Sequence, residues 1–161
     1  MKILGIDVGI RKTGWGLIKI TGKTKKYLDY GLIKPDPKLT IEQRLCFLHI
    51  NITAVIANSN PDQIGIEKTF VGLNPASGLI LGAAFGSILT AIGMSKVPMC
   101  SYSTKIIKQI VAEKGNATKE EMASAVCKVL KIDIDQHDVT DAFGAALCHW
   151  ESMQELTENS N

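Results

Sequence analysis

The stretch Lys2 to Gly16, read K-I-L-G-I-D-V-G-I-R-K-T-G-W-G, constrains this chain more than any other. Ile3, Leu4, Ile6 and Val8 form a short apolar run that reads as a buried strand. Asp7 interrupts it near its end. A carboxylate there is costly to bury unless it is paired, hydrogen-bonded or bound to a cation. Gly9, Arg11, Lys12, Thr13 and Gly14 then turn the backbone, and Trp15-Gly16-Leu17-Ile18 resumes as a second strand. The unit predicts a β-hairpin with one carboxylate at its rim. Two readings of Asp7 stay open at this point: a turn aspartate bonding its own backbone, or one corner of a site.

The rest of the chain supplies the sheet and its cover. Lys26 to Lys34 predicts a third strand, ended by Pro35 and Pro37. Thr40 with Gln43 three residues on is a capping box. Ile41, Leu45, Leu48, Ile52, Val55 and Ile56 then make one apolar helix face, closed by Asn58-Ser59-Asn60-Pro61. Gln63 to Glu67 predicts a fourth strand that again ends in a carboxylate. Asn74-Pro75 predicts the start of a long helix. Its uncharged run Gly78 to Met94 resembles a short membrane span, but Gly78, Gly82, Gly86, Ser87, Thr90 and Gly93 dilute it. We expect a helix buried between protein layers and no membrane. Gly78, Gly82 and Gly86 share one face, which predicts close approach by another backbone, either the protein's own sheet or a second subunit.

Lys96 to Tyr102 predicts a fifth strand, and Ser103 caps a helix expected to end at Gly115. Thr118 and Glu121 open a helix to about Leu130. Asp138 is expected to cap the last helix, which runs to about Met153. The first three strands pair antiparallel through hairpins, and the other two arrive by helical crossovers parallel to the first. The fold class is therefore α/β, a five-stranded mixed sheet with helices on both faces. Residues 1–153 form one domain and 154–161 a polar tail.

With 161 residues, 45% of them apolar, the chain holds one full core. The net charge of +2 permits a nucleic-acid partner without requiring one. Basic residues cluster at Arg11-Lys12, Lys23-Lys25-Lys26 and Lys105-Lys108. Cys46, Cys100, Cys127 and Cys148 lie far apart with no C-x-x-C pair, and are expected as reduced, buried thiols. Met1 leads straight into the first strand with no signal peptide. The expected location is cytoplasmic.

Asp7 and Glu67 each end a strand, and in such a sheet ligands bind beyond those ends. Asp138-Val139-Thr140-Asp141 adds two carboxylates on one helix face, unless they serve only as caps. Four carboxylates converging on one crevice repel unless cations hold them. Hard divalent ions with oxygen ligands meet that need, and two of them form a clamp for phosphoryl transfer. No Ser-His-Asp or Cys-His arrangement competes.

Three motifs, G-I-D-V-G-I-R-K-T-G-W-G, I-G-I-E-K-T-F followed by N-P-A-S-G-L-I-L-G, and H-D-V-T-D-A-F-G-A-A-L, together resemble RuvC-type Holliday junction resolvases from about Lys2 to Trp150. The resemblance implies an RNase H-like fold and a homodimer that cuts four-way DNA junctions in recombination and repair. It implies two Mg2+ ions per site, with Mn2+ as a substitute, held by Asp7, Glu67, Asp138 and Asp141 as catalytic acids. It assigns stacking on unpaired bases to Phe70 and phosphate contacts to Lys108 and Lys119. It further implies work beside the branch-migration motor of the same pathway. The chain departs from the family pattern at Val8, where proline is common. It departs again at Ile80, Ala83 and Phe85, where Lys, Gln and Arg are frequent. The competing class is a junction-binding protein without cleavage activity.

Overall fold

The computed structural model describes residues 1–68 and 74–158. Strand β1 (Lys2–Asp7) pairs antiparallel with β2 (Thr13–Thr21), and β2 with β3 (Thr24–Ile33). Helix α1 (Ile41–Ser59) leads into β4 (Gln63–Glu67), and α2 (Pro75–Ser95) into β5 (Met99–Tyr102). Because both returns are helical, β4 lies parallel to β1, and β5 parallel to β4. The order across the sheet is β3-β2-β1-β4-β5. Helices α3 (Thr104–Val111), α4 (Lys119–Leu130) and α5 (His137–Glu158) follow.

Alternation along the strands sorts the two faces. Leu4, Ile6, Leu17, Ile64 and Ile66 join Leu48 and Ile52 of α1 and Ala84 and Ile88 of α2 in one apolar cluster. On the other face Ile3, Ile18 and Ile20 join Ile107 of α3, Met122 and Val126 of α4, and Val139 and Phe143 of α5. Here the sheet is floored with glycine. A Cβ on Gly5 would stand 1.8 Å from the Ala142 carbonyl oxygen, and one on Gly65 2.5 Å from that of Ala145. One on Gly14 would stand 1.9 Å from the Asp138 carbonyl oxygen. The backbone of α5 thus rests on the backbone of β1, β2 and β4.

The helix starts follow their capping chemistry. Gln43 Oε1 accepts from the Thr40 N–H at 3.0 Å, and Glu121 Oε2 from the Thr118 N–H at 2.7 Å. Asn74 Oδ1 accepts from the N–H groups of Ala76 and Ser77. Several ends differ from expectation. Strand β5 starts only at Met99, because Lys96 turns into the left-handed region (φ 60) to close α2. Helix α3 stops at Val111; Glu113 takes the left-handed turn (φ 57) before Gly115 is reached. Helix α5 continues to Glu158, so 154–158 are helical instead of a loose polar tail. No glycine or proline follows Gly144 to stop it. Asp138 is not the cap of α5; it lies one residue inside its first turn.

The long apolar helix is not enclosed between layers. Helix α2 turns Gly78, Ala84, Ile88, Ala91 and Ile92 inward, while Leu79 is 78% and Met94 72% exposed. It is long and apolar enough to cross a membrane by length and composition, yet only 28% of that stretch is buried in the fold. Cβ atoms on Gly82 and Gly86 would meet nothing within 4 Å, so these glycines do not admit the protein's own sheet. The cysteines also differ from expectation: all four are free thiols, but only Cys148 is fully buried, and Cys46 and Cys100 are exposed.

These contacts separate two kinds of glycine. Gly5→Ala should lower stability by about 3 kcal/mol or more, since backbone oxygen cannot yield as a side chain does. Gly93→Ala, which meets nothing within 4 Å, should be neutral or stabilising by up to about 1 kcal/mol. Urea unfolding of both variants checks the contrast; equal midpoints would contradict it.

Candidate active site

The alternation that floors the sheet with glycine also aims its carboxylates. Ile3, Gly5 and Asp7 point to the α5 face of β1, and Gln63, Gly65 and Glu67 to the same face of β4. Register pairs Ile6 with Ile66, so Asp7 and Glu67 are the next residues along two adjacent parallel strands. Helix α5 crosses above them with Asp138 in its first turn and Asp141 one turn later. The Asp138 carbonyl rests on Gly14, which pairs with Asp7. Four acids from β1, β4 and α5 thus meet at the C-terminal ends of the parallel strands. The turn after β1 is closed by Thr13, whose buried hydroxyl donates to the Gly9 carbonyl at 2.9 Å. Asp7 is therefore released from the turn-closing role that its sequence context allowed.

Asp7, Glu67 and Asp141 line a cavity of about 220 Å³ with Thr104, Ile107, Lys108, Lys119 and Met122. Lys108 and Lys119, to which the resemblance assigns phosphate contacts, therefore face the acids across one crevice. Phe70 lies outside the described residues. Two further residues border the acids: Lys12, which the sequence offers as a phosphate contact beside the site or a solvated residue, and Thr104, which it leaves unassigned. The Lys12 ammonium stands 4.0 Å from Asp138 Oδ2. The Thr104 hydroxyl donates a hydrogen bond to Glu67 Oε1. Nothing local in the sequence marks Thr104, which follows the strand-ending Tyr102 and the capping Ser103, one helical turn before Lys108.

Burial pushes the Asp7 carboxyl up to about 8, helped by the charges of Glu67, Asp141 and Asp138; Lys119 pulls the other way. Burial likewise raises Asp141 to about 6, with Glu67 adding to the shift and Lys119 and His137 opposing it. Among the described residues no three His, Cys, Asp or Glu side chains are closed tightly enough to grip an ion as they stand. The donor set is nonetheless all carboxylate oxygen. That chemistry fits a hard divalent cation. Deeper under α5, the buried His149 is satisfied by the Tyr102 hydroxyl at 2.7 Å and Gln63 Oε1 at 3.3 Å. Burial lowers its pKa, and it serves as a core histidine.

Comparison with known proteins agrees with this geometry. The sequence profile described as "Crossover junction endodeoxyribonuclease RuvC" matches residues 3–149. A protein of that name from Paramagnetospirillum magneticum is 39% identical over 150 residues, covering 92% of this chain and 90% of its own. One from Paraburkholderia phytofirmans is 40% identical, covering 92% and 83%. Among solved structures, Thermus thermophilus RuvC in complex with a Holliday junction substrate superposes with a TM-score of 0.90 at 27% identity, covering 98% of this chain and 97% of that one. The yeast mitochondrial Holliday junction resolvase Ydc2 shares the fold, with a TM-score of 0.71 at 13% identity and coverage of 98% and 83%.

The raised carboxyls set a pH dependence. The folded state holds the Asp7 proton up to about pH 8, whereas an unfolded aspartate releases it near pH 4. Between those values the folded state binds more protons, so stability falls as pH rises. In EDTA, the melting temperature of the wild type should therefore drop from pH 5.5 to pH 8. Asp7→Asn should flatten that drop and melt above the wild type at pH 8. Parallel melting curves for the two proteins would contradict the charge cluster.

Proposed function

The chain belongs to the RuvC family of crossover junction endodeoxyribonucleases, and from that premise we propose that it resolves four-way DNA junctions by paired symmetric nicks. The observation that carries this reading is the meeting of Asp7, Glu67 and Asp141 from three separate elements in one crevice bordered by Lys108 and Lys119, with Asp138 near enough for its charge to act on Asp7. A protein that only bound junctions would gain nothing from negative charge beside phosphate. Asp7 and Glu67 hold divalent cations from the sheet side, Asp138 and Asp141 from the helix side. When bound, two Mg2+ ions, with Mn2+ as a substitute, supply an activated water and stabilise the leaving oxygen of an in-line displacement.

The protein's other groups bind and orient. Lys108 and Lys119 neutralise backbone phosphates at the mouth of the crevice, a contact that fixes register without reading sequence. Phe70 stacks on an unpaired base at the crossover, a contact worth about 1–3 kcal/mol. The setting is the cytoplasm, beside the branch-migration motor of the same recombination pathway.

The active form in this reading is a homodimer. A four-way junction offers two strands of like polarity related by near two-fold symmetry, and a C₂ dimer presents two crevices to match. Support comes from α2: Leu79, Gly82, Ala83, Gly86, Leu89 and Met94 form an exposed face with almost no polar side chains. Ile80 and Ala83 stand on or beside this face where Lys and Gln are frequent in the family, which makes it more apolar.

A synthetic four-way junction, labelled on each strand and incubated with Mg2+, tests the reaction directly. Paired nicks at symmetric positions are expected; nicks on one strand only, or none, contradict it. Asp7→Asn should abolish nicking while retaining junction binding in EDTA. Near-wild-type nicking would remove Asp7 from the site. Gly82→Leu should fold normally, since its side chain enters open space in the protomer. It should sediment as a monomer and make unpaired nicks, through overpacking of about 1–3 kcal/mol at the contact. A dimeric Gly82→Leu protein would clear α2 of this role.

A further inference from the structure

Glu67 differs from the other three acids in reach. It carries one more rotatable bond than an aspartate, and Asp7 and Asp141 repel it. Left to itself, such a side chain spreads over several rotamers. One of its oxygens is not left to itself: the Thr104 hydroxyl donates to Oε1. Among the described residues, no such bond reaches its other oxygen.

Thr104 is itself held from two sides. Parallel register sets Glu67 beside Tyr102, and the Lys68 N–H donates to the Tyr102 carbonyl at 2.7 Å. Ser103 then caps α3, its Oγ accepting from the Ile106 N–H at 3.4 Å. Thr104 is consequently the first residue of a capped helix, with its backbone angles set before its side chain is placed. One turn on, Lys108 faces the same cavity. The threonine is exposed, so the hydroxyl is not needed to satisfy a buried neighbour.

We infer that Thr104 is a positioning residue: its hydroxyl fixes Glu67 so that the free carboxylate oxygen is ready for a divalent cation. This rests on the nuclease reading above. Groups that orient a ligating carboxylate act on cation affinity as well as on rate, and removing one typically costs about 10–100-fold. A threonine that merely began a helix would leave cation affinity unchanged.

The experiment uses the full-length protein and titrates Mn2+ by calorimetry against the wild type, Thr104→Val, Thr104→Ser, Thr104→Ala and Asp7→Asn. Thr104→Val keeps the shape and removes the donor. It should raise the half-saturating Mn2+ concentration by about 10–100-fold and leave junction affinity in EDTA unchanged. Its single-turnover cleavage should need correspondingly more Mn2+. Thr104→Ser should restore wild-type Mn2+ binding. If Thr104→Val does not fold, Thr104→Ala is read in its place. Wild-type Mn2+ affinity in Thr104→Val overturns the inference, as does a loss in Thr104→Ser equal to that in Thr104→Val. Wild-type affinity in Asp7→Asn, or no Mn2+ binding by the wild type, overturns the site reading itself.

Discussion

The rest of the structure depends on one contact, the seating of α5 directly on the sheet. Carbonyl oxygens of Asp138, Ala142 and Ala145 occupy the positions where side chains of Gly14, Gly5 and Gly65 would stand. Ordinary helix-on-sheet packing keeps the two backbones about 10 Å apart, with side chains filling the gap. Here the gap is closed. That closeness lets short aspartate side chains on a helix reach the same crevice as an aspartate and a glutamate on strands. A helix lifted by one layer of methyl groups would carry Asp138 and Asp141 away from Asp7 and Glu67. Phe143 completes the seat by lying across Gly16, where Tyr30 meets its ring edge-on.

The same contact creates the electrostatic problem that defines the site. Burying Asp7 among three other acids costs the charged form, and the flanking cations offset only part of that cost. Lys119 opposes the shift at both Asp7 and Asp141, and Lys12 reaches Asp138 from an exposed position where the pair is worth little. The fold holds unfavourable charge at one end of an otherwise well-satisfied core. Two turns further along the same helix, His149 is buried with both ring nitrogens paired.

Much of this was legible in the sequence, because it rests on local chemistry. Strand β4 and the capped starts of α1, α2 and α4 follow from cap residues and periodicity. Asp7 and Glu67 stand out as charges ending apolar runs. What escaped was decided between distant segments. The glycines on α2, spaced by four, looked like the place of close approach. Gly82 and Gly86 face away from the protein's own sheet, and the glycines that admit a backbone within the protomer are Gly5, Gly14 and Gly65, which sit singly or at period two in the strands. Their alternation with the apolar residues of the opposite face was the signal. Asp138 has the chemistry of a cap, and only packing from below moves it inside the first turn and toward the crevice. Thr104 was invisible because nothing local distinguishes a helix-starting threonine from one that also holds a glutamate in the next strand.

The seating of α5 also fixes when this protein acquires its chemistry. Asp7 is made before most of the sheet, while Asp138 and Asp141 emerge only after every strand of the sheet has been synthesised. No shorter nascent chain contains the crevice, since β1 and β4 alone supply two acids and no cover. Until α5 docks, the glycine floor of β1, β2 and β4 is exposed and the Gln63 amide lacks its histidine partner. Contacts between such remote segments form late, because the intervening loop entropy must be overcome first. The four acids therefore come together only once α5 has docked on the sheet.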